Sequence, residues 1–325
     1  MNHFIRIWIV ISGPPQPRLA MTQLSKNPHR RGIVLMLLSI VFFTVNTLAI
    51  RGLVDLYPAI SGWHAVIYRG VAGLAVVWSV YGFGRSYRFR VLFQKPLLFW
   101  RGILGGVGTG LFYITVIELG AGRATFLTLT YPIFAALMAH FFLKERLTSR
   151  RLTWIVISFV GLGVFFLEKG LSQEVWFYDA VGILVAVMSA GVVVLIRKLH
   201  QTEHGSTIYG SQAFYGLIFA IPVSGSSTME LPLTATLLLI VAGFVVAWGQ
   251  LTMTFAYRHL DVSTGSSLQM LLPVATALGS CLLFGERFGM MEIIGATITL
   301  GATWKINRET SNHSKTMTRI KPKKP

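Results

Sequence analysis

The chain has 325 residues, 53% of them hydrophobic and 13% charged, against roughly a quarter charged in an ordinary soluble domain. The apolar residues come in long runs, which excludes a water-soluble globular fold and points to membrane helices of roughly 17–25 residues each. The net charge of +17 does not mark a nucleic-acid partner, because the basic residues fall between apolar runs and form neither a face nor a motif.

Residues 1–31 read as a cytoplasmic N-terminal leader. Its apolar stretch, residues 4–11, is too short to span and lacks the small-residue cleavage site of a signal peptide. Gly13, Pro14, Pro15 and Pro17 break any helix there, and Met21 is an alternative start. Ten spans follow, at residues 33–50, 58–81, 98–117, 124–143, 152–167, 180–196, 208–224, 235–257, 262–284 and 288–304.

Polar residues inside these runs are expensive and therefore informative. The first span carries Asn46, and the second His64 and Arg69. In the third, Gly102, Gly106 and Gly110 form two GxxxG steps suited to close helix contact, with Tyr113 beyond them. The fourth holds Tyr131 and Pro132, and the seventh Gln212. Trp248 and Gln250 lie in the eighth span, Gln269 and Pro273 in the ninth. Glu145 and Glu286 fall at helix ends, about 20 Å along the helix from their prolines, and read as anchors that cap or pair with neighbouring loops. Glu292 opens the tenth span. Residues 305–325 form a basic cytoplasmic tail without regular structure. The lone Cys281 is expected as a buried thiol in an apolar run, with no disulfide and no cysteine-held metal.

Charge counting orients the spans. With both termini cytoplasmic, inside segments hold 24 of the 29 Lys and Arg, including Arg101, and outside segments hold Arg51, Arg123, Lys169 and Arg287. Such a bias follows the positive-inside rule.

A shift of 141 residues places Gly102 on Gly243, Gly108 on Gly249, Pro132 on Pro273 and Glu145-Arg146 on Glu286-Arg287, within nine identities over 45 ungapped residues. Two repeats follow, at residues 32–168 and 178–304. Five helices per repeat force the copies to be inverted in the membrane, as in secondary transporters, whose solute site lies between the halves near the midplane. The fold class is an all-α membrane protein of ten transmembrane helices in two inverted five-helix repeats.

The segment from Leu119-Gly120-Ala121-Gly122 through Tyr131-Pro132 to Glu145-Arg146-Leu147, and its second copy ending at Glu286-Arg287, resembles the EamA domain of the drug/metabolite transporter superfamily. Tyr68-Arg69-Gly70 resembles that family's arginine-bearing second helix. The resemblance implies a ten-helix carrier of small organic metabolites.

The two prolines read as mid-helix kinks that free the carbonyls of Thr128 and Gln269, so spans four and nine serve as hinges or cavity walls. Arg69 reads as a structural clamp. Asn46, Tyr113, Tyr131, Trp248, Gln250 and Gln269 are the expected solute-binding set, suited to a neutral or zwitterionic metabolite. No catalytic residue, cofactor or metal is implied. The partners expected are a small solute and the lipid bilayer of the inner membrane, and a homodimer is left open. An intramembrane enzyme on lipid-linked substrates is the alternative, but it needs interfacial Asp, Glu or His clusters that this sequence scatters. A channel or scaffold is the other, and the doubled, proline-broken unit disfavours it.

Overall fold

A computed structural model describes residues 28–82, 86–143, 149–167, 173–225, 231–260 and 262–320. The leader's apolar stretch, Met21 and Glu145 lie outside them. Thirteen helices make up the regular structure of the described residues: α1 (Pro28–Leu56), α2 (Gly62–Tyr81), α3 (Val91–Gln94), α4 (Pro96–Leu119), α5 (Ala121–Thr128), α6 (Tyr131–Leu143), α7 (Ser149–Leu167), α8 (Gln173–Leu199), α9 (Gly205–Ser224), α10 (Leu233–His259), α11 (Val262–Gln269), α12 (Leu271–Phe284) and α13 (Met290–Ile320).

Six stretches among the described residues are long and apolar enough to cross a membrane: α1, α2, α4, residues 176–199 of α8, α10, and residues 264–284 across α11 and α12. Helix α9 falls short in composition rather than length. Its Ser206, Thr207, Ser211 and Gln212 are all buried against other helices, so its polarity faces protein. Outward faces carry Val41, Val71, Val156, Leu237, Leu278 and Leu282 exposed. That much outward apolar surface suits hydrocarbon, not water.

The core is a ring of α1, α2, α4, α8, α9 and α10, in which α1 packs on α10, α4 on both α8 and α9, and α2 on both α9 and α10. Small residues set these distances. A Cβ added at Gly106 would lie 2.4 Å from the Gly216 Cα, so α4 and α9 meet backbone to backbone. Gly102 also faces α9, through Ser211 and Tyr215, whereas Gly110 receives the Trp63 ring of α2. The glycine stripe therefore serves two partners. Helices α7 and α13 form a separate pair, with Gly295 against the backbone of Gly161 and Phe165.

Three expectations need correction. Helix α13 continues past Trp304 to Ile320, because no Pro or Gly interrupts the chain before Pro322. Cys281 is exposed. It shares the outward stripe of α12 with Leu271, Val274, Leu278 and Leu282, a spacing that keeps these side chains on one face. Neither proline is mid-helix. Spans four and nine are each two helices, divided at Leu129–Thr130 and at Met270, and Pro132 and Pro273 sit in the first turn of the second piece. A first-turn proline loses no helical hydrogen bond. The chain breaks two to three residues ahead of each proline and does not bend through it.

Candidate functional site

The two broken helices and the ring enclose a cavity of about 150 Å³. Asn46, Arg69, Tyr113, Tyr131, Gln250 and Gln269 line it, with Gln212, Thr128 and Ser189 as further polar walls. Phe43, Leu104, Phe112, Val192, Val246 and Met253 supply apolar wall.

One side is a chain of polar contacts across four helices. Arg69 donates from Nη2 to Gln250 Oε1 at 2.8 Å and from Nη1 to the Tyr113 hydroxyl at 3.4 Å. Tyr113 donates to Asn46 Oδ1 at 2.7 Å, and Asn46 Nδ2 donates to the Ala242 carbonyl at 3.1 Å. Arg69 thus ties α2 to α4 and α10, as a clamp would, while also lining the cavity. Interhelical bonds of this kind contribute about 0.6–2 kcal/mol each, and a central arginine costs about 2.5–3.5 kcal/mol to insert. Two such bonds roughly offset that cost.

A second polar knot sits at the helix breaks. Tyr131 donates to Gln269 Oε1 at 2.7 Å, with Ser266 Oγ at 2.8 Å and the Tyr257 hydroxyl at 3.1 Å. Gln269 Nε2 contacts Met253 Sδ at 2.9 Å. The knot joins the broken helix of each repeat to the other and to α10.

Trp248 is the member of the expected set that the cavity wall leaves out. It is half-buried, packed against the hydrophobic core. The reason is helical geometry: Val246, Gln250 and Met253 face the cavity, and Trp248, two positions from Val246 and from Gln250, points about 200° away from each.

Three residues matter more than their sequence context suggested. Gln212, the eighth residue of α9 as Arg69 is of α2, donates to the Gly105 carbonyl at 3.0 Å and to Thr109 Oγ1 at 3.1 Å. Arg101 is no loop cation. Helix α4 opens with Pro96 at its first turn, so Arg101 lies in its second turn and is 0% exposed. It donates from Nη2 to Gln212 Oε1 at 2.8 Å, while Nε and Nη1 have no hydrogen-bond partner.

Arg123, counted as an external loop charge, is 1% exposed within α5. It pairs with both oxygens of Asp179, at 2.9 and 2.6 Å, and with Glu292, and its guanidinium lies 4.7 Å from the centre of the Phe165 ring. Glu292 also accepts from the Gly289 N–H at 3.1 Å, at the start of α13. Glu286 accepts from the backbone N–H groups of Ala121 and Gly122, at 3.1 and 3.4 Å, capping α5 where the helix end favours an anion. His64 is 2% exposed and closes a capping box with Ser61 at the start of α2.

At the far end of the ring, Glu203 is buried and pairs with Arg88 at 2.7 Å and Lys95 at 2.5 Å. Beside it, His204 Nδ1 caps α9 by accepting from the Ser206 N–H. Burial, then the nearby Arg258 and His200, lower the His204 pKa to about 4. Among the described residues, no group of three or more His, Cys, Asp or Glu is placed to hold a metal.

Known proteins share this organisation. The EamA-like transporter family matches residues 30–167 and 176–308, one domain in each half. The pseudopaline exporter of Pseudomonas aeruginosa is 27% identical over 218 residues, 66% of this chain and 75% of the exporter. A riboflavin transporter of Brucella anthropi is 25% identical over 224 residues, 66% of this chain and 76% of its own. A probable terminal-alkyne amino-acid exporter of Streptantibioticus cattleyicolor is 24% identical over 205 residues, 60% and 66% of the two chains. A crystal structure 16% identical in sequence shares the fold, with a TM-score of 0.60 over 87% of this chain and 98% of its own. The chain belongs to the EamA-like transporter family and is a membrane transporter of small molecules.

Proposed function

We propose that the protein carries a small organic metabolite across the inner membrane by alternating access, with ten spans in two inverted repeats and both termini cytoplasmic. The observation that carries this reading is the cavity itself. Its largely apolar wall carries a few convergent polar side chains, comes from helices of both halves, and is bordered by the two broken helices. Discontinuous helices at a repeat interface are the usual frame of a midplane solute site.

Inversion is supported by the contact of Glu286, just past the end of α12, with the start of α5. The end of span nine thus lies at the start of span four, as antiparallel copies of one helix would place them. The matched places of Arg69 and Gln212 in α2 and α9 add to it. Reporter fusions at Lys169 and Glu230 should then read as external, and cytoplasmic activity at both would end the topology.

Asn46, Tyr113, Tyr131, Gln250 and Gln269 are the proposed solute contacts, and the backbone breaks ahead of Pro132 and Pro273 the proposed hinges. The test of transport is an unbiased profile of metabolites inside and outside cells with and without the protein. A set of solutes whose distribution follows the protein is expected. No such solute would refute the proposal.

A further inference from the structure

Two positive charges stand at the cavity with nothing negative to meet them. Arg69 lines the wall, and Arg101 lies one layer behind it. That layer is thin. A Cβ at Gly105, itself a lining residue, would lie 2.3 Å from Arg101 Nη1. The other intervening group, Gln212, offers Arg101 only an amide oxygen.

The chain has 12 Asp and Glu residues, yet α2, α9, α10, α11 and α12 contain none, and α4 has only the exposed Glu118. Among the described residues, the carboxylates in ion pairs belong to Asp55, Asp179, Glu203, Glu286 and Glu292, and none pairs with Arg69 or Arg101. Buried charges in proteins are normally paired. In a low-dielectric site, an unpaired charge one layer away still attracts an anion strongly. Arg69 has five N–H donors and spends two on Tyr113 and Gln250, so donors remain for a solute.

We propose that the transported solute carries a carboxylate, that Arg69 pairs with it directly, and that Arg101 acts as a positioning residue which holds the site electropositive. This rests on the cavity being the transport site. The remaining walls define the rest of the solute. Phe43, Leu104, Val192 and Met253 accept a short hydrocarbon part, and the Thr128 hydroxyl, buried without a partner, is open to a polar group. At about 150 Å³ the cavity lies below the roughly 300–1,000 Å³ of drug-sized sites. A small amino or hydroxy acid fits this description. Gln212 and Tyr113 hold their geometry through protein partners and need no solute.

The metabolite profile tests this when each solute is scored for charge and the variants Arg69→Gln, Arg69→Lys, Arg101→Gln and Arg101→Lys are run beside the wild type. Every solute that follows the wild-type protein should carry a carboxylate. Arg69→Gln should lower the flux at least tenfold and Arg69→Lys less. Arg101→Gln should raise the half-saturating concentration severalfold with a smaller change in maximal rate, and Arg101→Lys should recover part of it. Folded yield by size exclusion separates these effects from misfolding. Solutes without a carboxylate following the wild type would overturn the carboxylate and leave transport standing. No solute at all would instead remove the transport reading on which the proposal rests.

Discussion

Arg123 and the Arg69–Arg101 pair are three buried guanidiniums under opposite electrostatic regimes. Arg123 meets two carboxylates and an aromatic face, from α8, α13 and α7. Arg69 and Arg101 meet amides and a phenol. The first arrangement is closed, since its cation finds its counter-charges inside the protein. The second is incomplete in charge while satisfied enough in hydrogen bonds to stay in place. On the function proposed above, the first region fixes helices against each other and the second is completed when the solute arrives.

The largest effect should come from opening the closed region. Arg123→Gln leaves Asp179 and Glu292 buried without a cation, a change that typically costs about 3–5 kcal/mol. Folded yield in detergent should collapse, and the triple change Arg123→Gln, Asp179→Asn, Glu292→Gln should restore much of it. Normal yield of the single variant would show that Arg123 is not the lock described here.

Next comes the incomplete region. Arg69→Gln removes a charged contact worth about 1.5–3 kcal/mol, so transport should fall about tenfold to a hundredfold with a modest loss of yield. Equal losses of transport and yield would return Arg69 to a purely structural role. Gln269→Leu deletes the acceptor shared by Tyr131 and Tyr257. It should slow transport severalfold, whereas Trp248→Ala, outside the wall, should leave the rate per folded molecule within about twofold, close to the scatter expected when no contact is lost. A transport defect in Trp248→Ala at normal yield would move the wall.

The smallest effect concerns pH. The folded-state pKa of His204 lies near 4, below its ordinary 6.5, so the neutral ring is the form that folding favours. The stability this gives is present above pH 6.5 and lost as pH falls toward 4. Hydrogen exchange at the amides of Ser206 and Thr207 should accelerate over that window. The acceleration should vanish in His204→Asn, which caps without titrating near neutrality.

Much of the cavity was readable in the sequence because polar groups in apolar runs are costly and therefore conspicuous. Asn46, Tyr113, Tyr131, Gln250 and Gln269 were picked on that ground and all line it. What could not be read is instructive. Arg101 and Arg123 sit near the ends of apolar runs, where a shift of a few residues turns a buried helical residue into a loop charge. Trp248 was grouped by depth alone, although its spacing of two from Gln250 already set it on another face. The prolines announced a discontinuity, but whether the chain bends or breaks depends on packing around Thr130 and Met270 that no local rule contains. The partnership of Arg123 with Asp179 and Glu292 joins residues 56 and 169 positions apart and needed the fold.

The most direct measurement is uptake into proteoliposomes of one solute from the metabolite profile and of its carboxamide analogue, by the wild type and by Arg69→Gln. The two molecules differ in charge and hardly in shape. The acid should enter at least tenfold faster than the amide through the wild type, and the gap should close in the variant. Equal rates for acid and amide through the wild type would contradict the account, because the unpaired guanidiniums would then not be reading charge.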